Sequence, residues 1–204
     1  MFKAVINQLK TALILLVSFT IITGLIYPIA VTGIVQLLFP KQANGSLIEQ
    51  NGKTVGSLLI GQSFTSPNYF WGRPSATSPY PYNGENSSGS NMGSSNTDFL
   101  ATVKNRIAHL HEFDTQANHL VPVDLVTASG SGLDPEISPL AAFYQVPRIA
   151  KLRHLSEKDI QELIQSLIQK RTLGILGEPR INVLQLNLAL DNLRNDDARK
   201  TPKS

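Results

Sequence analysis

The chain has 204 residues, of which 42% are hydrophobic and 16% charged, and its formal net charge is +3 at pH 7. The absence of cysteine excludes disulfides, thiolate metal sites and a cysteine nucleophile. No run of Lys and Arg is long enough to follow a nucleic-acid backbone, so the modest positive charge does not indicate DNA or RNA binding.

A long apolar segment runs from Thr11 to Phe39, and no Asp, Glu, Lys, Arg or His lies between Lys10 and Lys41. At a rise of about 1.5 Å per residue, this segment is longer as a helix than the roughly 30 Å of bilayer hydrocarbon. A signal peptide normally has a shorter apolar region of about 7–15 residues, and an interfacial helix would carry a charged face. The sequence therefore predicts one retained transmembrane helix.

The charges around this helix predict its orientation. Lys3 and Lys10 precede it, whereas Lys41 alone follows it closely. The positive-inside tendency then places residues 1–10 in the cytoplasm and the rest of the chain outside it. Pro28 lies within the span, where its ring removes a backbone donor and should kink the helix. Small and hydroxyl-bearing residues along the span favour packing on other helices, although such residues are common in any membrane helix.

Residues 40–194 are predicted to form one soluble domain, followed by a polar tail over 195–204. Its strands and helices do not follow a repeating βαβ order, which indicates the α+β class. The predicted elements are a hairpin over 46–60 with its turn at Asn51-Gly52, a loop over 61–96, a helix over 97–111, a strand over 122–127, helices over 139–145 and 147–152, an amphipathic helix capped by Ser156 and closed at Gly174, and a strand over 181–190.

The loop over 61–96 has the Gly, Ser, Asn and Pro content of a linker, but it also carries much of the aromatic area of the chain. A solvated linker has no use for such area. We therefore expect an ordered loop packed on the domain, in which Arg73 beside Trp71 stacks on an aromatic ring or reaches a carboxylate.

No catalytic motif is complete. The residues two before and two after Ser131 are Ser129 and Leu133, so the Gly-x-Ser-x-Gly elbow of a hydrolase is absent. His109 and His111 face different sides of their predicted helix and do not converge on one ion with His119. We therefore predict neither catalytic residues nor a metal site.

The turn from Ser129 to Gly132 lies between a predicted strand and a predicted helix. A Gly/Ser loop at such a place is able to present several N–H groups to an anion or to a carboxylate of a partner. Short loops of this composition are more often structural turns, and both interpretations stay open at this stage.

Six segments carry long motifs: FWGRPSA at 70–76, PYN at 81–83, SGSN at 88–91, VDLVTASGSGLDPEISP at 123–139, YQVPRIA at 144–150 and LGEPRINVLQLNLALD at 176–191. With these motifs the chain resembles the C subunit of the bacterial Kdp potassium-transporting ATPase. The similarity extends from the span to the last predicted strand. One departure is Glu136, where that family commonly has His after Leu-Asp-Pro.

The resemblance implies an accessory subunit of an ATP-driven potassium pump in the bacterial inner membrane. Its expected partners are a channel-like A subunit, the ATP-hydrolysing B subunit and a small F subunit. It implies a role in assembly and stability of the complex, with an influence on ion entry or on the ATP affinity of the B subunit. The alternative is a membrane-tethered catalytic chaperone that binds ATP together with the B subunit. No cofactor is expected to be held firmly, and ATP only through the partner.

The resemblance also implies two groups of contact residues. Candidates for contact with a partner or a nucleotide are Ser129, Gly130, Ser131, Gly132, Asp134, Gln145 and Arg148, and candidates in the loop for contact with a partner are Trp71, Arg73, Asn83 and Asn91. A nucleotide role conflicts with a domain outside the cytoplasm, where ATP is not found. The extracytoplasmic placement is the interpretation we prefer.

Overall fold

The computed structural model of the chain describes residues 2–50, 52–113 and 120–200, with 194–200 as backbone only. The chain divides into two compact units, Met1–Leu47 and Ile48–Ser204. The first contains α1 (Phe2–Ile21), a π turn (Ile22–Ile26), α2 (Tyr27–Leu38) and α3 (Pro40–Ala43).

The helical stretch Phe2–Leu38 is 37 residues long and contains an 18-residue window with a mean hydropathy of 2.3, which makes it long and apolar enough to cross a membrane. The protein itself buries none of the side chains of α1 and α2. An apolar helix of this kind needs hydrocarbon or other apolar helices around it. This confirms the predicted N-terminal apolar helix of membrane-spanning length.

The helix accommodates Pro28 through the π turn that precedes it. The N–H of Tyr27 donates to the carbonyl of Ile22, one residue further back than in an α-helix. A wider turn of this kind accommodates a proline ring inside a helix. The hydroxyl of Thr23 donates to the Phe19 carbonyl at 2.7 Å and that of Thr11 to the Asn7 carbonyl at 3.0 Å, so both hydroxyls have partners within the helix.

The second unit is a small α+β domain, as predicted. Its elements are β1 (Leu47–Gln50), β2 (Lys53–Ser57), α4 (Thr97–Phe113), a 3₁₀ turn (Val123–Leu125), β3 (Glu136–Ile137), α5 (Pro139–Tyr144), α6 (Val146–Arg153), α7 (Glu157–Leu167), β4 (Ile181–Asn182) and α8 (Val183–Lys200). β1 pairs with β2, and β3 pairs antiparallel with β4. Ser138 and Ser156 cap α5 and α7, each accepting a bond from an N–H in the first turn.

The predicted hairpin, the first helix of the domain and the two short helices are therefore confirmed. Asn51 of the hairpin turn lies outside the described residues, and Gly52 has φ +73°, a conformation that glycine adopts without strain. The core is formed by buried side chains of α4 to α8, the 3₁₀ turn, β3 and β4, together with Phe70 and Trp71 of the loop. The loop is thus ordered and packed, as its aromatic content predicts.

The strand predicted over 122–127 is wrong, because this segment forms the 3₁₀ turn. The Pro122 carbonyl accepts from the N–H of Leu125, and the Val123 carbonyl accepts from the N–H groups of Val126 and Thr127. Local bonds satisfy the backbone, so no neighbouring strand is required. The β-prone residues Leu125 and Val126 are buried all the same.

The amphipathic helix was also predicted too long, since α7 ends at Leu167 and not near Gly174. Ile168 is already extended, with ψ 117°. Beyond it the chain forms a short antiparallel hairpin, which pairs Gln169 with Arg180 and Thr172 with Leu176. Lys170 and Arg171 therefore lie on this hairpin and not in a last helical turn.

The predicted strand over 181–190 is wrong after Asn182, where α8 begins. The Oδ1 atom of Asn182 accepts from the N–H of Gln185 at 3.0 Å, as an N-cap does. Val183, Leu186 and Leu190 are buried at helical spacing, so the alternating leucines were a misleading signal. The backbone is helical up to Lys200, which includes the start of the predicted polar tail, and 201–204 lie outside the described residues.

Candidate functional site

Side-chain amides hold the loop over 61–96 inside the domain. Asn187 of α8 accepts from the Phe70 N–H at 2.8 Å and donates to the Phe70 carbonyl at 3.0 Å. Gln145, between α5 and α6, does the same for Trp71 at 2.8 and 3.2 Å. Buried backbone groups must be paired, and here two amides replace the neighbouring strand that a loop lacks.

Arg148 of α6 adds a buried cation to this arrangement. Its guanidinium donates to Oε1 of Gln145 at 2.6 Å, to the Tyr69 carbonyl at 3.0 Å and to the Pro67 carbonyl, and it lies 3.9 Å from the centre of the Trp71 ring. Burial lowers the pKa of Arg148 to about 10, so the side chain remains a cation at neutral pH. The group is only 6% exposed and serves to hold the loop.

The Trp71 ring also contacts α4. It stacks on His109 with centroids 5.5 Å apart and meets the edge of Phe113 at the same distance. Beside it lies a pocket of about 340 Å³ whose lining includes Arg106 and Leu125. His109 therefore contributes to aromatic packing. Among the described residues no three His, Asp or Glu side chains come together as metal ligands do, and His119 lies outside that part of the chain.

The turn from Ser129 to Gly132 is bonded both to itself and to the loop. The Ser129 hydroxyl accepts from the Gly132 N–H at 2.9 Å. The Ser131 carbonyl accepts from the Ser88 N–H at 2.9 Å, and the Gly132 carbonyl accepts from the Ser75 hydroxyl at 2.7 Å. Ser129 and Gly132 are buried, whereas Gly130 and Ser131 are exposed. Only the tip of the turn is therefore available to another molecule.

Arg73 contacts a carboxylate, which is one of the two alternative interactions predicted for it. It lies 3.2 Å from Asp134 and also donates to the Ala128 carbonyl. Glu136 forms a second ion pair at 2.8 Å with Arg180. Both pairs are partly exposed, so each stabilises the domain only modestly, but together they connect the turn to the loop and to β4.

Tyr82 is close to Asp134 and Arg73, and the ionisation of its phenol can be measured. Burial, and next the charge of Asp134, raise the pKa of Tyr82 to about 12 from its ordinary value of 10.0. The unfolded chain releases this proton at lower pH, so the contribution of Tyr82 to stability is complete below pH 10 and is lost as the pH rises to about 12. We expect the tyrosinate absorbance of the chain, minus that of a Tyr82→Phe variant, to appear near pH 12. A transition near the ordinary value would contradict the buried environment.

The predicted contact residues thus fall into different environments. Trp71, Gln145 and Arg148 come together in one buried cluster, and Asn83 is buried as well, donating to the Ser78 carbonyl at 3.0 Å. Asn91 is exposed, like the tip of the turn. Contact of any of them with a partner or a nucleotide stays a prediction.

Sequence reasoning missed Asn182 and Asn187. Besides capping α8, Asn182 donates to the Leu58 carbonyl at 2.9 Å and connects the helix to the segment after β2. Both asparagines interrupt an apolar run. A polar residue inside such a run is the signal that could have identified them, because a buried amide requires hydrogen-bond partners.

Comparison with known proteins supplies the family. The family model of the "K+-transporting ATPase, c chain" matches residues 9–192. A "Potassium-transporting ATPase KdpC subunit" of Methylococcus capsulatus is 58% identical over 93% of this chain and 100% of the relative. The corresponding protein of Paraburkholderia phytofirmans is 53% identical over 93% and 98%, and that of Herpetosiphon aurantiacus 55% identical over 92% and 97%. The similarity covers the apolar helix and the domain alike.

Proposed function

Because the chain belongs to the family of the K+-transporting ATPase c chain, we propose that it is a membrane-bound accessory subunit needed for assembly and stability of an ATP-driven potassium pump. The observation that carries the proposal is the match over residues 9–192, which includes nearly all of the apolar helix and the domain. A membrane anchor followed by a folded domain is the arrangement expected of a subunit that is held beside its partners in the membrane.

We further propose that the domain lies outside the cytoplasm and contacts the channel-like A subunit, while the helix packs among the membrane helices of the A, B and F subunits. The excess of Lys before the span favours this orientation. The tip of the turn, Gly130 and Ser131, is an exposed part of the motif region that is open to such contact. Its bonds to the loop present it in one conformation, which lowers the entropy cost of binding.

The geometry favours contact over nucleotide binding. A phosphate at the turn would need several free N–H groups, but those of Gly132 and Leu133 already donate to serine hydroxyls of the same turn, at 2.9 and 3.1 Å. Gln145 and Arg148 use their polar atoms to hold the loop. These observations support an assembly role over the catalytic chaperone alternative.

Co-purification tests the proposal. We expect the full chain to be recovered from detergent extracts with a large potassium-translocating ATPase, and Ser131→Arg to lower that recovery severalfold by placing a bulky cation on the tip. Ser166→Arg, the same substitution at an exposed position of α7, is the control and should leave the recovery unchanged. The proposal fails if the chain never travels with such a pump. Normal recovery with an altered ATP dependence would favour the chaperone alternative.

Protease added to right-side-out vesicles tests the orientation separately. We expect cleavage of the domain in intact vesicles. Protection until the membrane is opened would place the domain in the cytoplasm.

A further inference from the structure

The hairpin over 169–180 leaves apolar side chains uncovered at its tip. Gln169 and Arg180 exchange both backbone hydrogen bonds, at 2.8 and 3.1 Å, and Thr172 and Leu176 do so at 2.9 and 3.0 Å. Between these pairs, Arg171 contacts Glu178 at 2.6 Å. Two ladder pairs and an ion pair make this an ordered projection.

The tip exposes three aliphatic side chains within four residues of the chain. Leu173 is 85% exposed, Ile175 75% and Leu176 56%. Leu173 also has φ +55°, in a region that glycine adopts freely and leucine does not. A polar turn with glycine at that position would suit water better. We therefore expect another molecule or an apolar phase to cover this tip.

The charges of the hairpin indicate what covers the apolar tip. Residues 172–177 carry no charge. On the two arms next to the tip, Arg171 pairs with Glu178 and Arg180 with Glu136, so Lys170 supplies the net positive charge at the base of the tip. An apolar end with a cationic base matches a bilayer surface, since the aliphatic groups enter the acyl boundary while the cations remain at the level of anionic headgroups. An apolar groove on a protein would not require the unpaired charge of Lys170.

We propose that this hairpin tip is a second membrane contact, with Leu173, Ile175 and Leu176 inserted into the interface of a bilayer that contains anionic lipid. The proposal rests on the apolar helix Phe2–Leu38 and not on the pump role. A domain tethered to a bilayer by that helix meets lipid at a high effective concentration, so even a small apolar tip is sufficient for contact.

The absence of cysteine allows a direct test, since one introduced cysteine is the only thiol in the chain. Ile175→Cys and the control Leu140→Cys, a site on α5 that is 68% exposed, are made in the full chain. Each variant is spin-labelled and reconstituted into vesicles of phosphatidylcholine and phosphatidylglycerol. Power saturation with oxygen and with a water-soluble nickel chelate on both sides then reports whether each label lies in lipid or in water.

We expect the label at position 175 to lose access to the chelate and gain access to oxygen, while the label at 140 stays in water. Adding Leu173→Asp and Leu176→Asp should return the label at 175 to water, and removing the phosphatidylglycerol should weaken its protection. Equal chelate access at 175 and 140 in the vesicles overturns the proposal. Protection that appears only after the other pump subunits are added also overturns it, because the tip would then dock on protein.

Discussion

Replacing Arg148 with methionine is expected to destabilise the domain by about 3 kcal/mol, because buried carbonyls lose a charged donor and nothing replaces it. The carbonyls of Pro67 and Tyr69 lose the guanidinium, and Trp71 loses the cation on its ring face. Methionine fills part of the volume but donates no hydrogen bond. Trp71, the only tryptophan, reports unfolding directly by its fluorescence in a denaturant titration of the full chain in detergent.

Arg171→Met provides the matched control for this change. Arg171 pairs with Glu178, but both side chains are largely exposed, and such pairs contribute less than about 1 kcal/mol. The two variants remove the same functional group and differ in burial. If Arg148→Met and Arg171→Met lowered the free energy of unfolding equally, the role we assign to the buried guanidinium would be wrong.

Gly132→Ala is expected to destabilise the domain by about 2–4 kcal/mol, since it combines backbone strain with overlap. Gly132 has φ +67°, and an added Cβ would lie 2.5 Å from the Ser88 carbonyl oxygen and 2.7 Å from Cγ2 of Thr77. Neither neighbour moves easily, because Ser88 is bonded to Ser131 and Thr77 to the loop around it. The denaturation midpoint measures the loss.

The same turn contains the control. At Gly130 no atom lies within 4 Å of an added Cβ and φ is not in the left-handed region, so Gly130→Ala should stay within about 0.5 kcal/mol of the parent chain. A large loss for Gly130→Ala, or none for Gly132→Ala, would show that the turn is not packed as described. We thus expect a large loss of stability at one glycine of this turn and almost none at the other, although a single serine separates them.

The elements with strong local signals were predicted correctly. Ser138-Pro139 and Ser156 begin helices because a serine hydroxyl caps the first turn wherever such a sequence occurs. The apolar helix Phe2–Leu38 follows from length and hydropathy alone. The aromatic loop was expected to pack, since that much apolar area is costly in water. For the helix caps, the interaction responsible lies within a few residues of the chain.

Two of the errors occur where partners outside the segment decide its structure. Val183 to Leu190 satisfies both the alternation of a strand and the spacing of a helix, and it becomes helical because Asn182 caps it and Asn187 reaches Phe70 across the core. The segment 168–180 leaves the helical pattern when Gln169 pairs with Arg180. The interior positions of Gln145 and Arg148 likewise depend on the loop, more than seventy residues away along the chain.

The amino-acid sequence by itself determined the apolar helix long enough to span a membrane, the helix caps, the α+β class and the family, because these depend on local hydropathy, local hydrogen bonding and the order of residues. Only the tertiary structure decided which polar side chains are buried and which face solvent. That choice depends on which backbone groups of the loop lack a partner. It separates Gln145 and Arg148, which hold the domain together, from Gly130 and Ser131, which remain available to another molecule.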